Sequence, residues 1–468
     1  MRPREWLTPL CPCACDEAAR LLRGEVSGDD VGFAEVGTDS RRLPAGALFV
    51  ALVGPNFDGH DFIAAARERG ACAALVSRRV ADPLPQLRVA DTLMALGQLG
   101  AAWRERFAGP LIALTGSNGK TTLKEMIAAV LRVRGPTLAT EGNLNNDIGV
   151  PLTLLRLGKE HAYAVIEMGA NHPCEIAYLT GLARPDVAII NNAGPCHLEG
   201  FGDVAGVARG KGEIFQGLGP DGVAVINRDD PFADYWAGLN PGRQIVGFGL
   251  DRAAEVSGRL LDPAANRFRL RAGGEEIQIE LPLSGRHNVL NALAATAATM
   301  AVGATLDQVR RGLESLRGVG GRMQRLRGRH GGAVIHDAYN ANPASLAAAL
   351  HSVGAEPGRK WLVLGDMLEL GPAADDLHAR SGRETRAAGF ERLYGVGEHS
   401  RAAVAAFDRG GRHFMDVTDL IAALADDLEP GGELPVVLVK GSRGMRLERV
   451  VAALVEPGEM ASNREGHR

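Results

Sequence analysis

A stretch with the chemistry of a phosphate-binding loop lies at residues 111–122, which read LIALTGSNGKTT. The apolar run predicts a strand, the glycines a tight loop, and the residues from Lys120 onward a helix whose backbone N–H groups and dipole favour an anion. Lys120 would neutralise the outer phosphates of a triphosphate, and the Thr121 hydroxyl would reach Mg²⁺. Leu114 stands where the usual pattern has a glycine, so a glycine turn capped by threonine is the alternative.

Two side chains that can bind metal follow apolar runs downstream of this loop. Glu167 closes the run YAVIE, and His197 follows DVAIINNAGPC. The carboxyl ends of parallel strands form the ligand crevice of an open α/β sheet, so both side chains are expected beside the triphosphate. Together they suggest two metal positions, although His197 alone would more often be structural and Glu167 alone could cap a helix.

Lysine is rare in this chain, because the 52 basic residues include only Lys120, Lys124, Lys159, Lys211, Lys360 and Lys440. A chain that prefers arginine keeps lysine where a compact ammonium, or an amine able to lose its proton, is required. Lys211, in ARGKGEIF, lies on a predicted helix that could face the same crevice. A neutral lysine amine can add CO₂ to become a carbamate, an anionic oxygen ligand that suits Mg²⁺. A surface lysine is the alternative.

Other classes of nucleotide-binding protein fit the sequence less well. A guanine-nucleotide switch needs an Asn-Lys-x-Asp element, and the nearest match, residues 227–230, has Arg228 in place of the lysine. A turn capped by aspartate is favoured there. A kinase-like or motor ATPase would want an aspartate at the end of an apolar strand, where this chain has Glu167.

The elements that must position these residues alternate as in α/β proteins. A chain of 468 residues is too long for one hydrophobic core. Residues 1–106 hold short apolar runs and an alanine-rich helix near 91–107, which predict a small α/β domain. Residues 107–320 predict a parallel sheet with crossover helices and, at 254–283, an antiparallel patch. Residues 321–468 predict a second doubly wound, Rossmann-like domain.

Two segments within this plan carry separate expectations. The apolar stretch from Val289 to Leu306 predicts a buried helix. The stretch RGVGGRMQRLRGRH, residues 317–330, predicts a flexible joint between the last two domains. Its arginines are expected either on a solvated linker face or as phosphate ligands.

Bulk composition excludes several functions. A net charge of −4 gives no basic excess to attract nucleic acid or an anionic membrane, and no stretch is long and apolar enough for membrane insertion. The N-terminal residues have no sustained apolar core typical of a secretory signal, so we expect a cytoplasmic protein. Cys11, Cys13 and Cys15 lack a second pair at zinc spacing, which favours a reduced surface or helix-start segment over a metal site.

Taken in order, the motifs resemble the Mur ligases of peptidoglycan synthesis along nearly the whole chain. They are DSRRLPAGALFVALVG, NFDGHDF, TGSNGKTT, EGNLNNDIGVPLT, IEMGANHPCEI, HLEGFG, ARGKGEIF, GRHNVLNALAA, HDAYNANPAS, LGDMLELG and KGSRGMRLE. Within that family, HDAYNANPAS and GDMLELG are similar to the ligases that add D-alanyl-D-alanine to UDP-N-acetylmuramoyl-tripeptide. The Asp-Asn-Pro-Arg element typical of the tripeptide-forming ligases is absent from this sequence. Folylpolyglutamate synthases share the loop and the metal carboxylate, but not this first domain.

The resemblance implies a three-domain ATP-dependent amide ligase, expected as a monomer, with UDP-N-acetylmuramoyl-tripeptide and D-alanyl-D-alanine as substrates. It implies two Mg²⁺ ions, one held by Thr121 and Glu167 and the other by His197 and carbamylated Lys211. The expected catalytic residues are Lys120, Glu167, His197 and Lys211. Residues expected near the uridine or diphosphate are Asp39, Ser40 and Arg41. Those expected at the junction of tripeptide and γ-phosphate are Asn143, Asn145 and Asn146. Those expected on ATP are Gly116, Ser117, Asn118, Gly119, Lys120, Thr121 and Thr122, with Asn288 and Asn291 at the adenine, Arg322 at the phosphates and Asp337 at the ribose.

Overall fold

The structure, a computed structural model, describes residues 13–262, 266–316, 320–329, 331–428 and 435–456. Three α/β domains follow one another along the chain, and their main sheets have five, nine and six strands. The predicted fold class is therefore confirmed.

The first domain is built on a five-stranded sheet of order β2-β9-β8-β5-β4. Its inner strands β5 and β8 are short, wholly buried apolar runs, and only β2 is antiparallel to its neighbour. The strands are β1 (Cys13–Ala14), β2 (Glu25–Ser27), β3 (Gly32–Phe33), β4 (Val36–Gly37), β5 (Leu48–Val50), β6 (Val53–Gly54), β7 (Phe57–Asp58), β8 (Ala73–Val76) and β9 (Gln86–Arg88). The helices are α1 (Cys15–Leu22), α2 (Ile63–Glu68) and α3 (Thr92–Glu105).

The helix α3 joins the first domain to the central one and confirms the predicted alanine-rich helix. The Asp91 side chain caps its start by accepting from the N–H groups of the next turn. The buried Arg104 guanidinium donates to the carbonyl of Ala183, 2.8 Å away in the central domain. A Cβ on Gly100 would lie 2.9 Å from the Pro151 Cα, so glycine permits this close approach.

The central domain has a nine-stranded sheet of order β11-β12-β10-β13-β14-β15-β16-β17-β18. It is parallel through β16 and antiparallel at the last two strands, as predicted. The inner strands are buried on both faces, whereas β17 alternates exposed and buried residues as an antiparallel strand with one wet face does. The strands are β10 (Leu111–Thr115), β11 (Thr137–Ala139), β12 (Tyr163–Glu167), β13 (Val187–Ile190), β14 (Val223–Asn227), β15 (Gln244–Gly249), β16 (Val256–Leu260), β17 (Arg267–Ala272) and β18 (Glu275–Glu280).

Helices cover both faces of this sheet. They are α4 (Lys120–Arg132), α5 (Gly149–Leu154), α6 (Glu175–Ala183), α7 (Leu198–Phe201), α8 (Val204–Gly212), α9 (Ala233–Gly238), α10 (Arg286–Ala301) and α11 (Leu306–Glu314). The alanine-rich α10 is buried between α4 and the sheet. The helix predicted over Val289–Leu306 ends at Ala301, and a turn separates it from α11, whose start is capped by Thr305.

The third domain has a six-stranded sheet of order β19-β20-β24-β21-β22-β23, parallel except for β19. The strands are β19 (Gln324–Arg327), β20 (Ala333–Asp337), β21 (Lys360–Gly365), β22 (Arg392–Val396), β23 (Gly411–Phe414) and β24 (Val436–Lys440). The helices are α12 (Pro343–Gly354), α13 (Ala374–Ala387), α14 (Ser400–Phe407), α15 (Val417–Asp427) and α16 (Glu448–Leu454). Asn342 caps the start of α12, and Pro343 occupies a first-turn position that needs no N–H donor.

The flexible joint predicted over residues 317–330 extends too far. Strand β19 lies within it, with Leu326 buried between two exposed neighbours. The Arg325 side chain pairs with Glu356 at 2.6 Å, and Arg329 donates to the carbonyl of Val455 at 2.8 Å. These arginines therefore belong to the third domain rather than to a linker. Residues 317–319 and 330 lie outside the described part of the chain.

Two expectations concern the chain as a whole. Across the described ranges, no helix combines the length and apolarity that a membrane crossing requires. Cys15 opens α1 as a helix-start residue, but its thiol is buried, and that burial raises its pKa to about 11. Cys11 lies outside the described residues, and of Cys13 only the backbone is described.

Candidate active site

The phosphate loop occupies the predicted place between β10 and α4. Gly119 precedes the helix with a φ of 76°, and a Cβ there would lie 2.7 Å from the Asn291 Oδ1, so both its conformation and its surroundings require glycine. The Lys120 Nζ donates to the Gly116 carbonyl at 2.7 Å and so lies over the loop. Loop N–H groups, helix start and lysine together form an anion site.

Asparagine side chains hold this loop from several sides. The Asn118 N–H donates to the Asn192 Oδ1 at 2.9 Å, and the Asn191 Nδ2 donates to both the Asn118 carbonyl and the Asn291 Oδ1. The Asn342 Nδ2 of the third domain donates to the Asn118 Oδ1 at 2.7 Å. Sequence reasoning missed Asn191, Asn192 and Asn342. The consecutive asparagines after β13 were the available signal.

Glu167 ends β12 and is 2% exposed. Its Oε1 accepts from the Asn145 Nδ2 at 2.8 Å, and its backbone N–H donates to the Thr140 Oγ1 at 3.0 Å. Its Oε2 is buried and has no hydrogen-bond partner among the described residues. A buried carboxylate oxygen without a partner is costly, and it is also the donor that Mg²⁺ prefers, so the site fits a divalent cation.

Arg322 brings the third domain to the same loop. Its Nη2 lies 3.4 Å from the Thr121 Oγ1, and its guanidinium stacks 4.2 Å from the centroid of the Tyr339 ring. Stacking holds the planar guanidinium at the edge of the helix start, where phosphate oxygens would lie. This position agrees with the expectation that Arg322 meets phosphates.

Lys211 lies on α8 and is 3% exposed. Its amine makes no hydrogen bond or ion pair with any residue that the structure describes. Burial lowers the pKa of Lys211 to about 8, and the charge of the nearby Lys120 acts in the same direction. Burial therefore makes this amine easier to deprotonate than that of an exposed lysine, which the expected carbamate would need.

His197 faces the third domain rather than Glu167. Its backbone has a φ of 50°, and its Nδ1 contacts the carboxylate of Glu369 in the loop after β21. Hydrogen bonding to His197 holds the pKa of Glu369 below its usual value. In the described ranges no three His, Cys, Asp or Glu side chains cluster as metal ligands. No described hydrogen bond or ion pair joins the expected ligands Thr121, Glu167, His197 and Lys211 to one another, so the two metal sites stay a prediction.

A cavity of about 270 Å³ opens beside the loop, between the central and third domains. Asn288, Asn291, Arg322 and Asp337 line it as expected, together with Asn118, Gly119 and Thr122 of the phosphate loop. Lys440, which the rarity of lysine had marked, also lines it and donates to the Asp337 Oδ2 at 2.5 Å. Sequence reasoning missed His287, Asn227 and Ser345, which complete part of the wall.

Not all of the residues expected to bind the uridine nucleotide or the tripeptide lie at this cavity. Asp39 and Arg41 pair with each other at 2.9 Å in a first-domain turn that also contains Ser40, and no described contact links that turn to the phosphate loop. Asn143 is exposed, and the Asn146 Oδ1 caps the start of α5 by accepting from the Gly149 N–H. Of the three asparagines expected at the tripeptide junction, only Asn145 contacts Glu167.

Residues 227–230 form a turn, as predicted, rather than a guanine-reading element. The Asn227 Oδ1 accepts from the Asp229 N–H at 3.0 Å. The Asp229 carboxylate accepts from three successive backbone N–H groups after β15, and the Asp230 carboxylate accepts from the N–H groups of Ala193 and Phe232. Because these carboxylates already have backbone donors, they are not available to a guanine base.

Known proteins match this chain over most of its length. Residues 33–104 match the Mur ligase family catalytic domain, residues 114–299 the Mur ligase middle domain, and residues 321–443 the Mur ligase glutamate ligase domain. The chain is 45% identical over 441 residues to the UDP-N-acetylmuramoyl-tripeptide–D-alanyl-D-alanine ligase of Escherichia coli K12, covering 94% of this chain and 97% of that protein. It is 36% identical to the Bacillus subtilis ligase of the same name, covering 90% and 93%.

Solved structures give the same result. MurF from Acinetobacter baumannii superposes with a TM-score of 0.89 at 37% identity, covering 95% of this chain and 99% of that one. The MurF ligase from Thermotoga maritima in complex with ADP superposes with a TM-score of 0.78 at 28% identity, covering 90% and 96%. The order of the three domains is therefore shared along with the sheets themselves.

Proposed function

The chain belongs to the Mur ligase family, and from this membership we infer that it is an ATP-dependent ligase joining D-alanyl-D-alanine to UDP-N-acetylmuramoyl-tripeptide. The product is the UDP-muramoyl-pentapeptide, and the step is the last cytoplasmic one in peptidoglycan precursor synthesis. One observation carries this function: the cavity between the central and third domains, which brings the phosphate loop together with Arg322 and Asp337.

The reaction is governed by charge. A carboxylate is a poor electrophile, and the triphosphate that it must attack is itself polyanionic. Lys120, lying over the loop, and Arg322, stacked on Tyr339, offset that repulsion and hold the γ-phosphate in line with the tripeptide carboxylate. The resulting acyl phosphate is attacked by the deprotonated amine of the dipeptide, and phosphate leaves. Contact between the central and third domains keeps water from the acyl phosphate.

Magnesium ions complete the proposed site. Thr121 and Glu167 would hold one ion, and the unpartnered Glu167 Oε2 supports that role. His197 and carbamylated Lys211 would hold the other, supported by the buried Lys211 amine, which burial makes easier to deprotonate. Bound Mg²⁺ supplies the positive charge that lets two anions approach each other.

The remaining roles follow the family motifs. Asn288 and Asn291 meet the adenine and Asp337 the ribose, which their place in the cavity wall supports. Gly116, Ser117, Asn118, Gly119 and Thr122 surround the phosphates. Asp39, Ser40 and Arg41 receive the uridine or diphosphate, and Asn143, Asn145 and Asn146 border the tripeptide. We place the domain boundaries at residues 1–106, 107–320 and 321–468, and the protein as a monomer in the cytoplasm that needs neither nucleic acid nor membrane insertion.

A coupled assay of ADP release tests this function. ADP should appear only when ATP, UDP-N-acetylmuramoyl-tripeptide and D-alanyl-D-alanine are all present, and omitting either acceptor should reduce the rate to background. Equal ADP release without the dipeptide would contradict the ligase. Tight GTP binding that ignores both acceptors would instead indicate a nucleotide switch.

A further inference from the structure

Lys124 is a buried lysine on α4 that the proposed reaction does not use. It is 2% exposed, and its Nζ donates to the carbonyl of Thr140 at 2.6 Å. Its ion-pair partner is the neighbouring Glu125 at 3.0 Å. The ammonium is thus fixed by one carboxylate and one backbone carbonyl.

Burying a charged group is costly, and replacing a whole buried ion pair by apolar side chains of similar volume is often neutral or stabilising. The chain also uses lysine at only 6 of its 52 basic positions. A compact ammonium, unlike a planar guanidinium, suits a single carbonyl acceptor inside a helix–sheet interface. Both facts point to a task for Lys124 beyond stability.

The acceptor of Lys124 leads directly to the proposed metal carboxylate. Thr140 follows β11, where its N–H donates to the Val165 carbonyl at 3.0 Å. Its Oγ1 accepts the Glu167 N–H at 3.0 Å, and the segment that follows Thr140 carries Asn145, which donates to the Glu167 Oε1. Lys124 therefore fixes the end of β11, which in turn positions Glu167.

The same helix carries the other proposed ligand of that ion. Thr121 lies three residues before Lys124 on α4, and residues so spaced lie on one face of a helix. Thr121 and Glu167 belong to different elements, and the hydrogen bond from Lys124 links the helix of the first to Thr140, whose hydroxyl accepts the backbone N–H of the second.

We propose that Lys124 is a positioning residue: through Thr140 it sets the Glu167 carboxylate against the Thr121 hydroxyl for the divalent cation of the nucleotide. The inference rests on the proposed function only in taking Thr121 and Glu167 as Mg²⁺ ligands. It does not require that the chain complete the ligation.

The test is binding of a non-hydrolysable ATP analogue, measured by calorimetry across a range of Mg²⁺ concentrations, in Lys124→Met and in the control Lys159→Met. Lys159 is exposed and precedes β12, at the end of that strand opposite to Glu167. Lys124→Met should need about tenfold more Mg²⁺ for half-saturation, because altered support of a ligand costs at least that much metal affinity. Its Tm should be lower than that of the control, because the Thr140 carbonyl and the Glu125 carboxylate lose a buried partner, so binding is measured at a temperature below both transitions. An unchanged Mg²⁺ requirement would overturn the proposal.

Two further variants extend the test, and the first of them, which retains Lys124, keeps the inference open to refutation if Lys124→Met fails to fold. Thr140→Val keeps the carbonyl that Lys124 needs but removes the hydroxyl that receives the Glu167 N–H, so it should raise the Mg²⁺ requirement in the same direction. In a Glu167→Gln background Lys124→Met should add nothing. No shift for Thr140→Val, or a full additional effect in that background, would show that Lys124 does not act through Glu167. Because no turnover is measured, a failed ligase assay would leave this result intact.

Discussion

At the scale of single residues, burial decides what the lysines near the phosphate loop can do. Lys120 is partly buried and directs its ammonium at the loop carbonyl of Gly116, whereas Lys440 is buried against Asp337 and donates to it. Burial lowers the pKa of Lys440, and the Asp337 charge opposes that shift. Lys211 is buried without such a partner, so it is the lysine suited to modification.

Lys211 should make activity depend on CO₂ and on pH. Burial lowers its pKa to about 8, so the neutral amine, which attacks the carbon of CO₂ and then releases a proton, is gained as the pH rises through that value. Enzyme stripped of CO₂ should lose activity and, at the same concentration of dissolved CO₂, regain it faster at pH 8.5 than at pH 6.5, which lie about half a pH step above and about one and a half below that pKa. ADP release checks this.

A variant gives the control for that prediction. Lys211→Ala should be inactive and indifferent to bicarbonate, and added short carboxylates should restore part of the activity. Lys159→Ala, on the surface, should respond to bicarbonate as the unchanged protein does. A fully active Lys211→Ala would refute the carbamate.

At the scale of elements, the start of α12 couples the third domain to the phosphate loop. Asn342 performs two tasks with one side chain: its Oδ1 caps the helix by accepting from the Ser345 N–H, and its Nδ2 donates to the Asn118 Oδ1. A helix cap is worth about 1 kcal/mol, and loss of a buried hydrogen bond is worth a similar amount. Substitution can separate the two tasks.

Asn342→Asp keeps the capping oxygen and loses the donor to Asn118. It should therefore lose about 1 kcal/mol of stability and bind the ATP analogue about tenfold more weakly, as expected for an unpaired buried group. Asn342→Ala should lose nucleotide affinity and about 2 kcal/mol of stability, because it loses the helix cap as well. Calorimetry and thermal unfolding measure the two effects. Unchanged nucleotide affinity in Asn342→Asp would show that the contact with Asn118 does not support the phosphate loop.

Apolar runs allowed the main strands to be predicted, because parallel strands buried on both faces must be continuously hydrophobic. The phosphate loop and Glu167 were predictable for a related reason, since a local pattern specifies each. Short or polar strands were not predicted, because they carry no continuous apolar run: β11 has three residues, and β19 reads Gln-Arg-Leu-Arg. The roles of Lys124, Asn342 and Glu369 were not predicted either. Each role depends on a partner that lies 16 to 224 positions away in the chain and that only the fold brings into contact.

At the scale of the whole molecule, three contacts hold the third domain against the central one. They join Asn342 to Asn118, Arg322 to Thr121 and Glu369 to His197. All three lie at the carboxyl ends of strands, where an open α/β sheet binds its ligands. Nucleotide binding and the arrangement of the two domains therefore depend on the same residues.

Removing one of these contacts should let the central and third domains move apart. Glu369→Ala should have a larger radius of gyration in solution X-ray scattering without nucleotide, whereas Asp376→Ala, an exposed change on α13, should match the unchanged protein. His197 holds the pKa of the Glu369 carboxyl below its usual value. The ionised carboxylate therefore stabilises the contact between the domains at any pH above that usual pKa, and this stabilisation is lost as the pH falls through the lowered pKa. Acid should therefore expand the unchanged protein but not Glu369→Ala, and equal expansion of both would contradict this role.

The most direct measurement follows the oxygen atoms of the tripeptide. If the tripeptide carboxylate attacks the γ-phosphate and the dipeptide amine then displaces phosphate, one of its two oxygens must leave with that phosphate. UDP-N-acetylmuramoyl-tripeptide labelled with oxygen-18 in its terminal carboxylate should yield singly labelled inorganic phosphate, one for each pentapeptide formed, by mass spectrometry. Pentapeptide accompanied by unlabelled phosphate would contradict the acyl-phosphate route, and labelled tripeptide recovered unchanged while ADP accumulates would contradict the ligase.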